Sequence, residues 1–217
     1  MALLKDEIKD ALKRKDFEGV IGLALKSKKV LSILMSLAYD KEDVLCWRAI
    51  EAMGKAAGAV AEGDPSAVRN IVQRLIWSIR EESGSIGWSA PEMLGEIVRN
   101  SPAAFSDIPS IILSFHEEEM FLKGVLWAMG RLAEAGLVHH ATGAAELSIA
   151  CLNHNDPQVR CLAAIAAFHM KLGGAKDAIS HMISDTAHIT IYEDHELRAA
   201  TVGDVMKSVS AGFPCAH

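Results

Sequence analysis

Apolar residues recur along this chain every three to four positions, in windows of ten to fifteen residues separated by Gly, Pro and Asp. That spacing puts them on one face of an α-helix and is too wide for the alternation of a half-buried strand. Windows at about 3–14 and 17–27 are followed by windows near 30–39, 66–81, 108–116, 141–153 and 175–185, each of these five leading into a second helical stretch. Asp64-Pro65, Ser101-Pro102 and Gly173-Gly174 mark turns between them. The pattern predicts an all-α protein of about five helical hairpins behind two N-terminal helices.

The second stretches repeat. Ala-Met-Gly at 52–54, Met-Leu-Gly at 93–95 and Ala-Met-Gly at 128–130 close three of them, while Asp156-Pro-Gln-Val159-Arg160 and Asp194-His-Glu-Leu197-Arg198 open two others. Common origins at Glu42, Ser83, Glu118, Asp156 and Asp194 are spaced by 41, 35, 38 and 38 residues. A period of that size made of helices predicts stacked helical hairpins. Three residues after the origin stand Leu45, Ile86, Phe121, Val159 and Leu197; seven after, Ala49, Ala90, Val125, Ala163 and Thr201; eleven after, Met53, Leu94, Met129, Ala167 and Val205. Those offsets share a face at 3.6 residues per turn, and this is the predicted buried stripe.

The run Asp156-Pro157-x-Val159-Arg160-x-x-Ala163-Ala164-x-Ala166 resembles the HEAT repeat, including the bacterial type of the phycobilin lyases. The resemblance covers about 30–210 and is poorest in the second repeat, where Pro91 intrudes. It implies an α-α superhelix, a HEAT-like solenoid, with 1–29 as capping helices and 30–217 as the repeat array. It also implies that Asp156 and Asp194 cap their helices and that Arg160 and Arg198 reach a neighbouring repeat's turn. HEAT arrays serve scaffolds, lyases and base-excision enzymes alike, so the resemblance leaves function open.

Half the residues are hydrophobic and 23% are charged, enough for a packed core. The net charge of -6 is uneven: residues 1–29 carry +3 and the other 188 sum to -9. An acidic body repels phosphate backbones, which disfavours nucleic acid as a partner. The N-terminus, MALLKDEIKDALKRK, lacks the apolar segment and cleavage site of a signal peptide, and the longest apolar run, Val30–Tyr39, is too short for a bilayer. Cys46, Cys151, Cys161 and Cys215 show no framework spacing. Reduced thiols in the cytoplasm, with no membrane association, are expected.

Opposite the buried stripe the offsets +5, +9, +12 and +16 read Trp47, Glu51, Gly54, Gly58, then Trp88, Glu92, Gly95, Arg99, then Lys123, Trp127, Gly130, Glu134. Three tryptophans in consecutive repeats form a candidate concave binding face, with the glycines admitting a ligand backbone. The alternative is that the tryptophans pack between repeats. The face continues as Cys161, Ile165, Phe168 and Leu172, an apolar end for the C-terminal tail or another subunit to cover.

The segment 81–92 stands out. Ser89-x-x-Glu92 reads as a capping box with Pro91 in the first turn, so the helix starts late and leaves a loop at about 83–88. Glu81, Glu82, Ser83 and Ser89 are candidate loop contacts for a ligand or partner; otherwise Trp88 staples onto Met93 and the glycines shape a turn. Acids at the turns (Asp40, Glu42, Asp43, Glu117–Glu119, Asp156, Glu193, Asp194, Glu196) serve as helix caps or as an acidic edge for a basic partner. Cys151-x-x-His154 with Cys161, and the histidines His139, His140, His169, His181, His188 and His195, have ligand types without a completed tetrahedral set. Neither Cys215-Ala-His217 nor any carboxylate pair is visibly poised for catalysis, so no cofactor, metal or catalytic residue is assigned. The run His188–Tyr192 is β-branched and reads as an extended insertion before the last helix.

Two functions follow. One is a non-enzymatic scaffold or adaptor holding a protein segment on the tryptophan face. The other is a lyase-like or ligand-carrying protein in which Glu51, Glu92 and Trp88 handle an aromatic or tetrapyrrole-like ligand. Action on nucleic acid ranks last, since only Arg99 and Lys123 add positive charge to that face.

Overall fold

The computed structural model describes residues 2–80, 87–138 and 141–211. Among them are twelve α-helices and a two-stranded sheet, an all-α architecture with one small β element. None of the helices is long and apolar enough to cross a membrane. The chain forms two compact units, Met1–Ile108 and Pro109–His217.

The first unit holds α1 (Ala2–Lys13), α2 (Phe17–Lys26), α3 (Lys29–Leu37), α4 (Val44–Gly63), α5 (Pro65–Arg80) and α6 (Ala90–Asn100). Three of the starts, those of α2, α4 and α5, have a local cause. Asp16 accepts from Gly19 N–H at 2.8 Å, Asp43 from Leu45 N–H at 2.9 Å and Asp64 from Ala67 N–H at 3.0 Å, satisfying donors that a helix leaves unpaired. The capping reading of the turn acids therefore holds for Asp43. Helices α1 and α2 pack directly on α4 within the first unit. Arg48 strengthens that attachment by donating to Leu12 O at 3.3 Å and Lys13 O at 3.2 Å, carbonyls at the end of α1.

Helix α7 (Ile108–Ser114) starts at the division between the units, and the second unit continues with α8 (Glu119–Glu134), α9 (Ala144–Ala150), α10 (Pro157–His169), α11 (Lys176–Met182) and α12 (Val202–Ala211). Asp156 caps α10, accepting from Gln158 N–H at 2.8 Å. Arg160 reaches out of α10 to the turn after α11, where its Nε lies 2.8 Å from Asp185 Oδ2, and it also donates to His154 O at 3.3 Å and Asn155 O at 2.9 Å. The Arg160 hydrogen bond holds the Asp185 carboxyl below the ordinary carboxylate range, helped by Ala187 N–H against the opposing effect of burial.

The fifth repeat departs from expectation. His188–Glu193 forms strand β1, in line with the extended insertion, but Glu196–Thr201 is strand β2 and helix α12 begins only at Val202. Asp194 (φ 51°) and His195 (φ 65°) make the two-residue turn, so Asp194 caps no helix. Arg198 pairs at 2.6 Å with Glu193 of its own hairpin and does not reach a neighbouring repeat. Leu197-Arg198-Ala199-Ala200 favours helix locally, but pairing with the β-branched strand and burial of Ile189 override that preference.

Where described, the predicted stripe is inside. Ala49, Met53, Ala90, Leu94, Val125, Met129, Ala163 and Ala167 are fully buried, whereas Leu45 and Leu197 are partly exposed. Ile86 lies outside the described residues. Several of the opposite offsets are not exposed as was expected. Gly54, Gly95 and Gly130 are buried too, because α4 packs against α6 and α8 against α10. A Cβ added at Gly54 would come within 2.6 Å of Glu96 O, so this glycine admits the α6 backbone and leaves no room for a ligand's. At Gly130 the nearest atom is Ala166 Cα at 3.7 Å, an ordinary contact.

Candidate functional site

The N-terminal ends of α4 and α6 meet in the first unit. Cys46 Sγ lies 3.8 Å from Ser89 Oγ, and both residues are buried. Burial pushes the Cys46 thiol up to about 12, against the Ser89 hydrogen bond, so Cys46 packs as a neutral thiol and is no nucleophile at neutral pH. Ser89 stands at the cap position of α6 but makes no capping bond with its side chain. The 3-10 turn Gly87–Ser89 brings the chain in at φ -112°, ψ 14°, away from the extended conformation a capping residue takes, so the predicted capping box does not form. The late helix start and Pro91 in the first turn are as read from the sequence.

Glu92, one turn beyond Trp88, is 1% exposed. Its Oε1 receives Lys41 Nζ at 2.5 Å, and its buried Oε2 has no hydrogen-bond partner among the described residues. The main-chain oxygen of the same Lys41 accepts from Trp47 Nε1 at 3.0 Å. Lys41 thus ties Trp47 on α4 to Glu92 on α6. A carboxylate this deep is tolerable only with its charge matched, and Lys41 supplies that match. Trp88 itself is 53% exposed.

Further along the same two helices, Glu51 is 8% exposed and lies 3.5 Å from Lys55, while Glu96 is 1% exposed and lies 3.8 Å from Arg99. Expected as open groove residues, Glu51 and Glu92 instead sit in the seam between helices, for the same reason that Gly54 does. Trp47 is half-buried, which agrees for this residue with the packing alternative.

In the second unit Trp127 is also half-buried, packed against that unit's core with the Arg131 guanidinium 5.6 Å from its ring centre. Lys123 and Glu134 are exposed and engaged, Lys123 with Asp156 at 2.6 Å and Glu134 with Arg131 at 2.8 Å. Burial raises Asp156, but hydrogen bonds from Lys123 and from Gln158 N–H outweigh it and leave the carboxyl below its ordinary value. Cys161 is buried and pushed up to about 12, and His154 accepts from Asp156 N–H at 3.1 Å, a turn-forming role. Among the described residues no group of three or more His, Cys, Asp or Glu is arranged to hold a metal ion. Glu81, Glu82, Ser83, His139, His140, Cys215 and His217 lie outside the described residues.

The structure thus joins Trp47 and Glu92 through Lys41, which the sequence reading passed over. Its signal was there: Lys41 is the one cation between Lys29 and Arg48, set among Asp40, Glu42 and Asp43. Trp77, 62% exposed on α5, was also missed because it belongs to a first helix of a pair.

No family model matches the chain, and no solved structure does. An uncharacterized protein of Archaeoglobus fulgidus is similar, 32% identical over 111 residues. That match covers 51% of this chain and 55% of the relative, so the chain spans about half the length of the relative it matches.

Proposed function

We propose that the first unit is a protein-interaction module whose exposed Trp88 takes a basic, extended segment of a partner protein. The observation carrying this reading is the exposed Trp88 indole on the turn that leads into α6. An exposed aromatic face suits a guanidinium or ammonium group through cation–π stacking. The chain's net charge of -6 supports attraction of such a partner. We read the helical pairs as a HEAT-like solenoid, supported by the Asp156 cap and the Arg160–Asp185 bridge. The lyase-like alternative has less support, since Glu51 and Glu92 are turned to Lys55 and Lys41 within the helix seam.

The test is binding of labelled arginine- and lysine-bearing peptides, read by fluorescence anisotropy. Trp88→Ala should weaken the best binder by about 30-fold, the size of a 2 kcal/mol hot spot. The loss in Trp88→Ala should be larger for arginine peptides than for neutral ones. Unchanged affinity in Trp88→Ala would remove this indole from consideration, and an equal loss in Trp77→Ala would move the site to α5.

A further inference from the structure

In the second unit the turn between α9 and α10 and the C-terminal half of α11 line a cavity of about 460 Å³, a size that suits a small molecule. Leu152, Ala178 and Met182 give it an apolar wall, and the Arg160–Asp185 ion pair lines it as well. A guanidinium carries five N–H donors in a fixed fork. Arg160 Nε and Nη2 each lie 2.8 Å from Asp185 Oδ2, while Nη1 donates to His154 O at 3.3 Å and Asn155 O at 2.9 Å. One N–H on Nη2 is left over. His154 also lines the cavity, and its Nδ1 accepts from Asp156 N–H at 3.1 Å. A neutral ring with Nδ1 used as an acceptor carries its proton on Nε2, and among the described residues nothing takes that donor. The side chains of Asn153, Asn155 and His181 line the same cavity and likewise have no partner among the described residues. The only carboxylate in the described lining, Asp185, has Oδ2 on Arg160 and Oδ1 on Ala187 N–H at 2.9 Å. The groups whose hydrogen-bonding sense is fixed are therefore spare donors, and the two amides can turn their N–H groups the same way.

We infer that this cavity binds a small carboxylic acid with a short hydrocarbon body, its carboxylate received by the spare N–H groups of Arg160, His154 and Asn153 and its chain lying along Leu152 and Met182. Three properties of the lining select that class. Spare donors ask for an acceptor-rich group, and a carboxylate offers two oxygens that take charge-assisted hydrogen bonds. The Arg160 charge is already matched by Asp185, so no permanent charge is left to hold a dianion such as phosphate, and the chain's net charge of -6 opposes a second negative charge further. A sugar or other uncharged polyol needs acceptors as well as donors, and it would leave the apolar wall without a partner. The Asp156 cap and the Arg160–Asp185 bridge thus do more than tie the turn to α11. They fix the two donors that such a ligand meets.

Titration of the full chain with sodium hexanoate, followed by NMR of the histidine ring signals, tests this. His154→Gln and His181→Gln assign the two signals. Both should shift and saturate, with a Kd of about 1 mM or tighter for a ligand of this size. Hexan-1-ol, which keeps the hydrocarbon and loses the charge, should bind at least about 10-fold more weakly. Asn153 is exposed, so Asn153→Asp should leave the circular dichroism unchanged while it replaces donors by a negative charge and weakens hexanoate by about 10-fold. Ala178→Leu, which fills part of the wall, gives a second variant with the same expected loss. Absence of saturable shifts would overturn the inference, and unchanged affinity in both variants would remove the cavity as the site. Equal binding of hexan-1-ol, or tighter binding of inorganic phosphate than of hexanoate, would overturn the ligand class.

Discussion

Replacing Gly54 with alanine sets two well-characterised effects against each other. Gly in a helix interior is worse than Ala by about 0.8–1.0 kcal/mol, so local propensity predicts that Gly54→Ala stabilises α4. Packing predicts the reverse. The new methyl would lie 2.6 Å from Glu96 O and 2.7 Å from both Glu96 Cβ and Asn100 Nδ2. The oxygen is backbone and cannot swing aside, so α4 and α6 must separate, at a cost of about 1–3 kcal/mol for overpacking. Packing wins or draws, and the net change runs from about zero to 2 kcal/mol destabilising. Gly22 in α2 is the matched control, because nothing lies within 4 Å of its would-be Cβ. There propensity acts alone, and Gly22→Ala should stabilise by up to about 1 kcal/mol. Urea denaturation of both variants, followed by circular dichroism, gives the two differences with opposite signs, or a null beside a gain. Equal stabilisation by both substitutions would refute the close approach of α4 to α6, and with it the account of why Glu51 and Glu92 are buried.

Cys46 and Cys161 give the chain an alkaline weakness. Their thiols titrate near 12 when folded and near 9.0 otherwise, so above pH 9 the unfolded chain loses protons that the folded one keeps, and stability falls. At pH 10 the loss is about 1 kcal/mol per thiol by linkage, and Cys46→Ala should remove its share of the pH dependence measured by urea melts at pH 7 and 10. The Arg160–Asp185 pair behaves oppositely. Asp185 has a depressed folded value, so its contribution is present above the unfolded value near 3.9 and is lost as pH falls through the folded one. Asp185→Asn should cost about 1.5–3 kcal/mol at pH 7, with the gap to the parent narrowing below pH 4. Lys41→Met leaves Glu92 buried without its cation and should cost about 3–5 kcal/mol. Lys41→Met with Glu92→Gln together should recover most of that loss, and no recovery would mean that the two side chains are not coupled.

The sequence by itself determined the all-α class, the boundaries of the first helix of each pair to within a few residues and the buried stripe through Ala49, Met53, Val125, Met129, Ala163 and Ala167. Those features are local: a 3.6-residue period and capping acids such as Asp43 and Asp156 act within one or two turns, so they can be read from a window of sequence. Only the tertiary structure decided what the opposite face meets. One apolar stripe records one packing partner, while a helix flanked on two sides also buries positions such as Glu51, Gly54 and Glu92, whose polarity or lack of a side chain suggested exposure. The same holds for Lys41, whose two contacts lie 6 and 51 residues away, and for residues 196–201, where a helix-favouring run became a strand because its partner was already extended. Contacts between distant segments leave no period behind, and the candidate site is made of them.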